Sequence, residues 1–253
     1  MLFDEAHHNF HTSSGRYKPF ADLIRSDGYQ VAPNKEKFTK TLLSGYQVLV
    51  IANALGAPTM DSPDAIKPAF TEQECAAVEE WVKGGGALLF IADHFPMGSP
   101  AQILASRFGV DMSKGVVDED HTYTRKDGTL GDHPITRGRS ESERINQVRD
   151  FSGQSLKGPA GCAVLLKLPD DAMERVPDEQ DPNDERKAKQ RSAAGRNMGL
   201  AMTHGQGRVV ILGEAAMLSA QLSRGEKIGM NVAGLDNRQF ALNVMHWLSG
   251  ALQ

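Results

Sequence analysis

The stretch that decides the fold is "FTEQECAAVEEWVKGGGALLFIADHFP", residues 70–96. Its first half has apolar residues at helical spacing, begins with Thr71 and Glu74 in a capping-box pattern and ends in three glycines, which predicts an amphipathic helix. The apolar run "ALLFIA" follows at once and is typical of a strand covered on both faces. A helix that leads through a short turn into such a strand indicates an α/β sandwich with a parallel sheet.

The rest of the chain repeats this alternation of helices and buried strands. Helices are predicted within residues 17–29, 99–109 and 236–250, and buried strands within "YQVLVIANAL" (46–55) and "RVVILG" (208–213). We therefore predict one α/β domain over residues 1–253, a three-layer sandwich of the flavodoxin-like kind with a mainly parallel central sheet.

Two regions depart from the alternation. Residues 110–165 are rich in turn formers and predict a small β extension on the same domain. Residues 169–197 are strongly charged, contain three prolines and have no apolar period, so we expect an exposed, charged insertion.

Composition bounds the function. Hydrophobic residues make up 40% of the chain and charged residues 24%, as in ordinary globular domains. The net charge of −4 argues against nucleic-acid binding, which needs a basic face. No apolar run approaches the roughly 20 residues that span a bilayer. Cys75 and Cys162 lie far apart, so neither a disulfide framework nor a cysteine metal site is indicated.

The start of the chain bears on its compartment. No signal peptide is visible, and Met1 stands directly before the apolar Leu2 and Phe3. We expect that the natural strand begins earlier and that a removed leader could have carried an export signal. The compartment and the oligomeric state therefore stay open.

Polar residues follow each predicted strand. In open α/β sheets, ligands bind beyond the carboxyl ends of the strands, so we expect these side chains to converge at one edge. They are Asp4, Glu5, His7, His8, Asn9 and His11 after the first strand, then Asn53, then Asp93 and His94, and finally Glu214.

The segment "IADHFPMGSP" (91–100) runs from a strand into a tight turn and a helix. This is the architecture of a nucleophile elbow without its serine or cysteine. We expect Asp93 to orient His94, and His94 to act as general base or acid near neutral pH. In the alternative, Asp93 only accepts backbone N–H groups and His94 packs against Phe95. Ser99 is expected to cap the next helix rather than to act as a nucleophile.

The opening histidine cluster allows three interpretations. His7 and His11 have the i, i+4 spacing of two metal ligands on one helical face, and Asp4 could complete a divalent-metal site. Alternatively, Asp4, His8 and His11 are the donors and acceptors of a loop that grips a polar ligand. In the third interpretation, backbone carbonyls simply satisfy the histidines.

Two later residues are further candidates. Glu214 stands at a strand end and a helix start, where a carboxylate can serve as base or ligand, or can only cap the helix. Asn231 lies in a glycine-flanked loop before the last helix and either faces a ligand or belongs to an ordinary turn.

Several stretches together resemble a known group. "FDEAHHNFHT", "GDHPITRG", "GRVVILGEAAMLSAQ" and the segments at 70–96 and 236–250 resemble bacterial proteins of unknown function with the class I glutamine amidotransferase-like fold, related to trehalose-utilisation-type proteins. That resemblance implies the amidotransferase-like sandwich. Members with glutaminase activity carry a cysteine elbow and a later His-x-Glu. Here Asp93-His94 occupies the elbow, so thiol-based glutamine hydrolysis is not expected.

The sequence therefore supports two hypotheses. The first is a hydrolase of a small polar substrate, with carbohydrate-related compounds as a candidate class. Its catalytic residues would be Asp93, His94, His8 and Glu214. Its substrate-binding residues would be Asp4, Asn9, His11, Asn53 and Asn231. Asp4, His11 and Glu214 could instead hold a metal that activates water. The second hypothesis is a non-catalytic ligand-binding or scaffolding domain, because a fold alone does not imply activity.

Overall fold

A computed structural model describes residues 1–117, 119–178, 181, 185–223 and 225–253. The α-helices are α1 (Lys18–Ser26), α2 (Lys40–Ser44), α3 (Glu72–Lys83), α4 (Gly98–Ala105), α5 (Pro134–Arg137) and α6 (Asn237–Ser249). Short 3₁₀ turns lie at Pro63–Ile66, Ser106–Phe108, Glu141–Glu143, Glu185–Lys187 and Ala216–Leu218.

The strands fall into a central set and an outer set. The central ones are β1 (Leu2–Asp4), β2 (Ala32–Asn34), β3 (Val48–Ala52), β4 (Ala87–Ile91), β5 (Asp111–Met112), β9 (Leu156–Lys157), β10 (Ala163–Lys167), β13 (Asn197–His204) and β14 (Gly207–Leu212). The outer ones are β6 (Val116–Val117), β7 (Thr122–Thr124), β8 (Gln147–Arg149), β11 (Met173–Val176), β12 (Lys189–Ser192), β15 (Ala220–Ser223) and β16 (Glu226–Gly229).

The central sheet has the strand order β2-β1-β3-β4-β14-β13-β9-β5, with β10 also paired to β13. The pairings from β2 to β14 are parallel, and those of β13 with β14, β9 and β10 are antiparallel. The register places Ala52 beside Ile91 and Ile91 beside Leu212. The predicted α/β class with a large, mostly parallel sheet is confirmed, and the residues that follow these strands start from one edge.

The alternation of side chains along each strand creates the layers. Val48, Val50 and Ala52 belong to the core that includes α1 and α6, whereas Leu49 and Ile51 belong to the core that includes α2, α3 and α4. Since both faces of the central strands are covered, uninterrupted apolar runs are the pattern that such strands require.

The deciding stretch folds as its sequence predicts. Thr71 Oγ1 accepts the Glu74 N–H at 3.2 Å, and a Glu74 carboxylate oxygen accepts the Thr71 N–H at 3.0 Å, which completes the capping box. After α3, Gly85 has a φ of +111°. A Cβ on Gly86 would lie 2.3 Å from the Trp81 ring. The glycines are therefore required by the turn and by this close approach.

The two irregular regions form short antiparallel sheets. Within residues 110–165, β7 pairs with β8, and β5 pairs with β9 at the edge of the central sheet. Within residues 169–197, β11 pairs with β12 and with β6. Residues 179, 180 and 182–184 of this charged segment lie outside the described part of the chain.

One carboxylate of the charged segment is buried. Glu174 in β11 accepts a hydrogen bond from Ser155 Oγ at 2.6 Å and one from Arg191 Nε at 2.6 Å.

Of the helices that the structure describes, none is both long enough and apolar enough to cross a bilayer.

Candidate functional site

The loop after β1 is held by a buried histidine between two carboxylates. His7 Nδ1 lies 2.9 Å from both oxygens of Asp4, and His7 Nε2 lies 2.9 Å from Glu74 Oε1. The rings of Phe38 and Phe70 each pack with their centroids 4.7 Å from that of His7. Both imidazole nitrogens are therefore occupied, and His7 ties the opening loop to the first turn of α3.

The charges around His7 decide its protonation. Burial by itself lowers the pKa of His7, but the hydrogen bonds and charges of Asp4 and Glu74 outweigh it, so the pKa is raised. Since each ring nitrogen faces a carboxylate, both nitrogens act as donors, which favours the imidazolium and leaves no lone pair for a ligand. Asn9 completes the loop: its amide group donates to Asp4 Oδ2 at 3.0 Å, and its carbonyl oxygen accepts the His7 N–H at 3.0 Å.

The metal interpretation of this cluster finds no support in the geometry. The segment between β1 and α1 is a series of turns rather than a helix, so His7 and His11 do not share a helical face. The His7 ring is bound by carboxylates and the His11 ring by Asn53. Throughout the described ranges, no group of three or more His, Cys, Asp or Glu side chains is arranged to hold a metal ion.

A second chain of hydrogen bonds joins three loops at the carboxyl edge. Asn53 Nδ2 donates to His11 Nδ1 at 2.8 Å, Asn53 Oδ1 accepts the Asp93 N–H at 2.9 Å, and Asp93 Oδ1 accepts the His94 N–H at 2.7 Å. Asn53 has a φ of +51°, a conformation that asparagine tolerates better than most residues. The structure therefore brings together four of the predicted residues from three strand ends.

The hydrogen bond from Asn53 decides the tautomer of His11. Because the Asn53 amide donates to Nδ1, the His11 proton resides on Nε2. Burial, helped by the charge of Arg16, lowers the pKa of His11 to about 3. His11 is therefore neutral across the physiological range.

His94 differs from both of these histidines. Its Nδ1 lies 2.8 Å from the carbonyl oxygen of Phe95. A carbonyl can only accept, so Nδ1 carries the proton and the neutral ring keeps a lone pair on Nε2. The His94 side chain is half-buried and so remains reachable. Such an imidazole can take a proton from water or substrate.

Two expectations for the elbow need correction. Asp93 accepts the backbone N–H of His94, whereas the Phe95 carbonyl orients the ring, so Asp93 makes the backbone contact of the alternative interpretation. Ser99 lies inside α4, whose N-cap is Met97. The prediction that Ser99 caps this helix was wrong, because the helix begins earlier than the serine pattern indicates.

Three carboxyl groups are buried behind the elbow. Burial, with the neighbouring charges of Asp93 and Asp150, raises the pKa of Glu214 well above its usual value, and burial also raises that of Asp93. Burial raises the pKa of Asp150 to about 7. Since like charges resist joint ionisation in a desolvated site, these three groups ionise less readily than isolated carboxyl groups.

Both carboxyl oxygens of Glu214 accept hydrogen bonds from backbone N–H groups that follow it in the sequence. They accept the N–H groups of Ala216 and Met217, the latter at 2.7 Å, and the side chain is fully buried. This is the capping role that the sequence left open. Asp150 was missed by the sequence analysis. It directly follows the short strand β8, which lies in a separate antiparallel pair with β7, so the rule for parallel strand ends does not reach it.

His8 and Asn231 take part in neither the hydrogen bonds around His7 nor those that join His11, Asn53, Asp93 and His94. His8 is exposed, with a φ of +50°. Asn231 lies after β16 and donates from Nδ2 to the Gln221 carbonyl at 3.1 Å. Its Oδ1 is buried and has no hydrogen-bond partner in the described part of the protein.

Gln154 links the elbow to its neighbours and carried no sequence signal. Its Nε2 donates to the carbonyl oxygens of Ala92 at 2.9 Å and Asp93 at 3.0 Å, while its Oε1 accepts the Lys114 N–H at 2.9 Å. The side chain is fully buried. It therefore fixes the end of β4 against the segment that follows β5.

A cleft of about 670 Å³ opens beside the elbow. It lies between α4 and the β11–β12 hairpin, and its walls include Phe95, Lys114 and Arg191. Clefts of this size commonly bind small molecules. His94 directly precedes one of the lining residues.

With this geometry in view, the chain can be compared with known proteins. No protein-family model and no curated protein sequence matches it. Among solved structures, the N-terminal domain of mmIFT52 is similar with a TM-score of 0.68 and 15% identity, over 98% of this chain and 97% of that one. At this identity the similarity shows the shared fold alone.

Two further solved structures are similar over nearly the whole chain. An exo-β-1,4-mannosidase from Opitutaceae bacterium strain TAV5 has a TM-score of 0.50 and 12% identity, over 100% of this chain and 36% of that one. A ThuA-like protein from Bacteroides uniformis has a TM-score of 0.47 and 12% identity, over 98% of this chain and 89% of that one. The latter score is too low to carry an argument.

Proposed function

We propose that this protein is a hydrolase of a small polar substrate, bound at the carboxyl edge of the parallel strands, with His94 as the general base. The observation that carries the proposal is the His94 ring. Its Nδ1 proton is held by the Phe95 carbonyl at 2.8 Å, its other nitrogen keeps a lone pair, and its side chain is half-buried in a turn at a strand end. A correctly held base of this kind commonly contributes about 10²–10⁴-fold in rate.

The reaction would use water directly. The elbow offers neither serine nor cysteine at the position of the nucleophile, so water attacks the electrophilic carbon while His94 Nε2 takes its proton. The leaving group then departs with that proton. The hydrogen bonds made by the side chains of His11, Asn53 and Asp93 fix the turn that carries the base.

The buried carboxyl groups would support this base electrostatically. Asp93 attracts the imidazolium that forms when His94 takes a proton. Burial raises the pKa of both Asp150 and Glu214, and the charges of Asp93 and Asp150 raise that of Glu214 further. Because the raised pKa values disfavour ionisation of all three groups together, the site carries less negative charge than three free carboxylates would, which limits repulsion of an incoming polar substrate.

Carbohydrate-related compounds are the first substrates to test. The sequence resembles trehalose-utilisation-type proteins of the amidotransferase-like fold, and we propose that this chain has a variant of that fold without the cysteine elbow. One structurally similar protein is named as an exo-β-1,4-mannosidase, although the likeness extends over only part of it.

The test is a hydrolase screen with purified protein. The panel contains chromogenic aryl glycosides, aryl esters and unactivated disaccharides. We expect turnover in at least one class, and a loss of about 100-fold or more in His94→Gln. The matched control is His204→Gln, since His204 lies at the opposite edge of the sheet, where β13 meets β14. Full turnover by His94→Gln would contradict the role of this residue.

A second candidate function is a non-catalytic ligand-binding or scaffolding domain. It is favoured by the hydrogen bonds of Asp4, Glu74 and Glu214. Their carboxylates bind other groups of the protein and do not face an open site. In this case the screen would show no turnover, while compounds from it would still raise the melting temperature of the protein.

A further inference from the structure

The cleft beside the elbow has walls of two kinds. Its apolar side is made by the half-exposed Phe95 ring together with Ile103, Met112 and Val176. These residues come from the elbow, α4, β5 and β11, so the cleft lies where the core meets the hairpin. An apolar surface of this extent favours a ligand with a ring or a short chain.

The polar side carries charges of both signs, and one of its cations has no ion-pair partner among the described residues. Lys114 lines the cleft and is exposed, and within the described residues it takes part in no ion pair. The nearby Asp111 is already paired with Arg196 at 2.9 Å. A second carboxylate, Asp178, accepts the Asp181 N–H at 3.2 Å.

The other cation of the cleft is partly compensated. Arg191 pairs through Nε with the buried carboxylate of Glu174 at 2.6 Å. That bond uses only Nε, and the terminal N–H groups have no acceptor among the described residues, so they can donate to a second acceptor. Arg191 can therefore assist in binding an anion, but Lys114 is the cation of the cleft that has no ion-pair partner among the described residues.

The backbone at Lys114 is held in a conformation that lysine rarely adopts. Its φ is +60°, and its N–H is fixed by the buried Gln154 at 2.9 Å. Strained residues of this kind persist only where the surroundings hold them, and they cluster at binding sites. Gln154 also holds the carbonyl of Asp93, so the same amide positions Lys114 and the elbow.

From the apolar wall, the unpaired lysine and the strained backbone that places it, we infer that the cleft binds an organic anion with an apolar body, an aryl or acyl carboxylate or phosphate. The anionic group pairs with Lys114 and the body packs against Phe95 and Val176. This inference rests on the proposed function only in taking the bound anion to be the substrate that His94 acts on.

The test is an NMR titration of the full chain with non-hydrolysable probes. Benzoate and phenylphosphonate carry both required parts, inorganic phosphate lacks the body, and benzyl alcohol lacks the charge. We expect the two aryl anions to bind about tenfold more tightly than either incomplete probe. Lys114→Asn removes the charge and keeps a residue that tolerates positive φ. It should weaken aryl-anion binding about fivefold to tenfold, whereas the exposed control Lys126→Asn should leave it unchanged.

Each other outcome would overturn the inference. Equal binding of phenylphosphonate by Lys114→Asn and wild type would remove the role of the charge. Inorganic phosphate as tight as phenylphosphonate would remove the role of the apolar wall. No saturable binding of either aryl anion at millimolar concentrations would remove the site. The His94→Gln variant separates the two proposals, since it should bind the aryl anions normally. If binding is confirmed but no substrate is turned over, the proposed hydrolase fails alone.

Discussion

Two histidines at the same edge of the sheet occupy opposite environments. His7 is 5% exposed, and a carboxylate lies 2.9 Å from each of its ring nitrogens. His94 is half-buried, and one nitrogen is held by a backbone carbonyl at 2.8 Å. The first ring has a carboxylate at both nitrogens, and the second has one nitrogen held as a donor while the other, Nε2, has no protein partner among the described residues. The comparison teaches that the partner of each ring nitrogen, rather than closeness to a strand end, decides whether a histidine is available for chemistry.

The largest expected effect separates the two histidines by activity. His94→Gln should lose about 100-fold or more in kcat/KM on any substrate found in the screen, because the base is removed. Its free energy of unfolding should fall by only about 1 kcal/mol, the usual net contribution of one hydrogen bond such as that from Nδ1 to the Phe95 carbonyl. Chemical denaturation and initial rates on the same preparations measure both quantities. A large stability loss with unchanged kcat/KM would make His94 the structural residue of the two.

The second prediction concerns stability at His7. His7→Leu leaves the carboxylates of Asp4 and Glu74 without their shared cation, so we expect a loss of about 3 kcal/mol in the free energy of unfolding. Urea denaturation at pH 6 measures it. The control is Glu74→Gln introduced alone and into His7→Leu. If the two residues interact as described, Glu74→Gln should cost less in the variant than in the wild type. Additive losses would contradict the bridge.

The third prediction tests the series of hydrogen bonds from His11 through Asn53 to Asp93 that holds the elbow. Asn53→Ala should destabilise the protein by about 1–3 kcal/mol, because the His11 ring and the Asp93 N–H lose their partner. Asn53→Gly removes the same side chain but accepts the φ of +51° without strain. The difference in the free energy of unfolding between the two variants therefore measures the cost of the backbone strain that alanine suffers at this φ. Both should reduce turnover by His94. If both variants keep wild-type stability and activity, the chain does not position the elbow.

The smallest effect is a pH dependence of the penalty at His7. The pKa of His7 is raised, so its contribution is full below the unfolded-state value of about 6.5 and is lost as the pH rises through the folded-state pKa. Although burial opposes the shift, hydrogen bonds from Thr71 and His7 lower the pKa of Glu74. Its contribution is therefore present above about 4.3 and is lost as the pH falls through the folded-state value. Compared with wild type, His7→Leu should lose more stability at pH 5.5 than at pH 8.5. An equal or larger loss at pH 8.5 would show that His7 is neutral.

Local signals in the sequence predicted much of the fold. The capping box of α3, the glycine turn and the apolar runs each lie within a few residues, and short-range geometry fixes them. The predicted cap at Ser99 was wrong, because the helix begins one residue earlier, at Gly98, and Met97 is its N-cap. Local patterns thus locate elements better than they locate the ends of elements.

The candidate site was harder to predict, because its contacts join distant segments. His7 and Glu74 are 67 positions apart, and Gln154 reaches Ala92 across 62 positions. Nothing near His7 in the sequence shows that carboxylates contact both of its ring nitrogens. The sequence alone therefore allowed His7 to be interpreted as a metal ligand. The strand-end rule did locate Asn53 and Asp93, since parallel strands align their carboxyl ends.

The most direct test of the account is the protonation state of the two rings, read by long-range ¹H–¹⁵N correlation NMR at pH 6 and pH 8. At pH 6 we expect His7 to show the pattern of a doubly protonated imidazolium. At pH 8 we expect His94 to show the neutral tautomer with its proton on Nδ1, and His94→Gln assigns its signals. A neutral His7 at pH 6, or a His94 ring with its proton on Nε2, would contradict the claim that one ring is locked by carboxylates and the other is poised as a base.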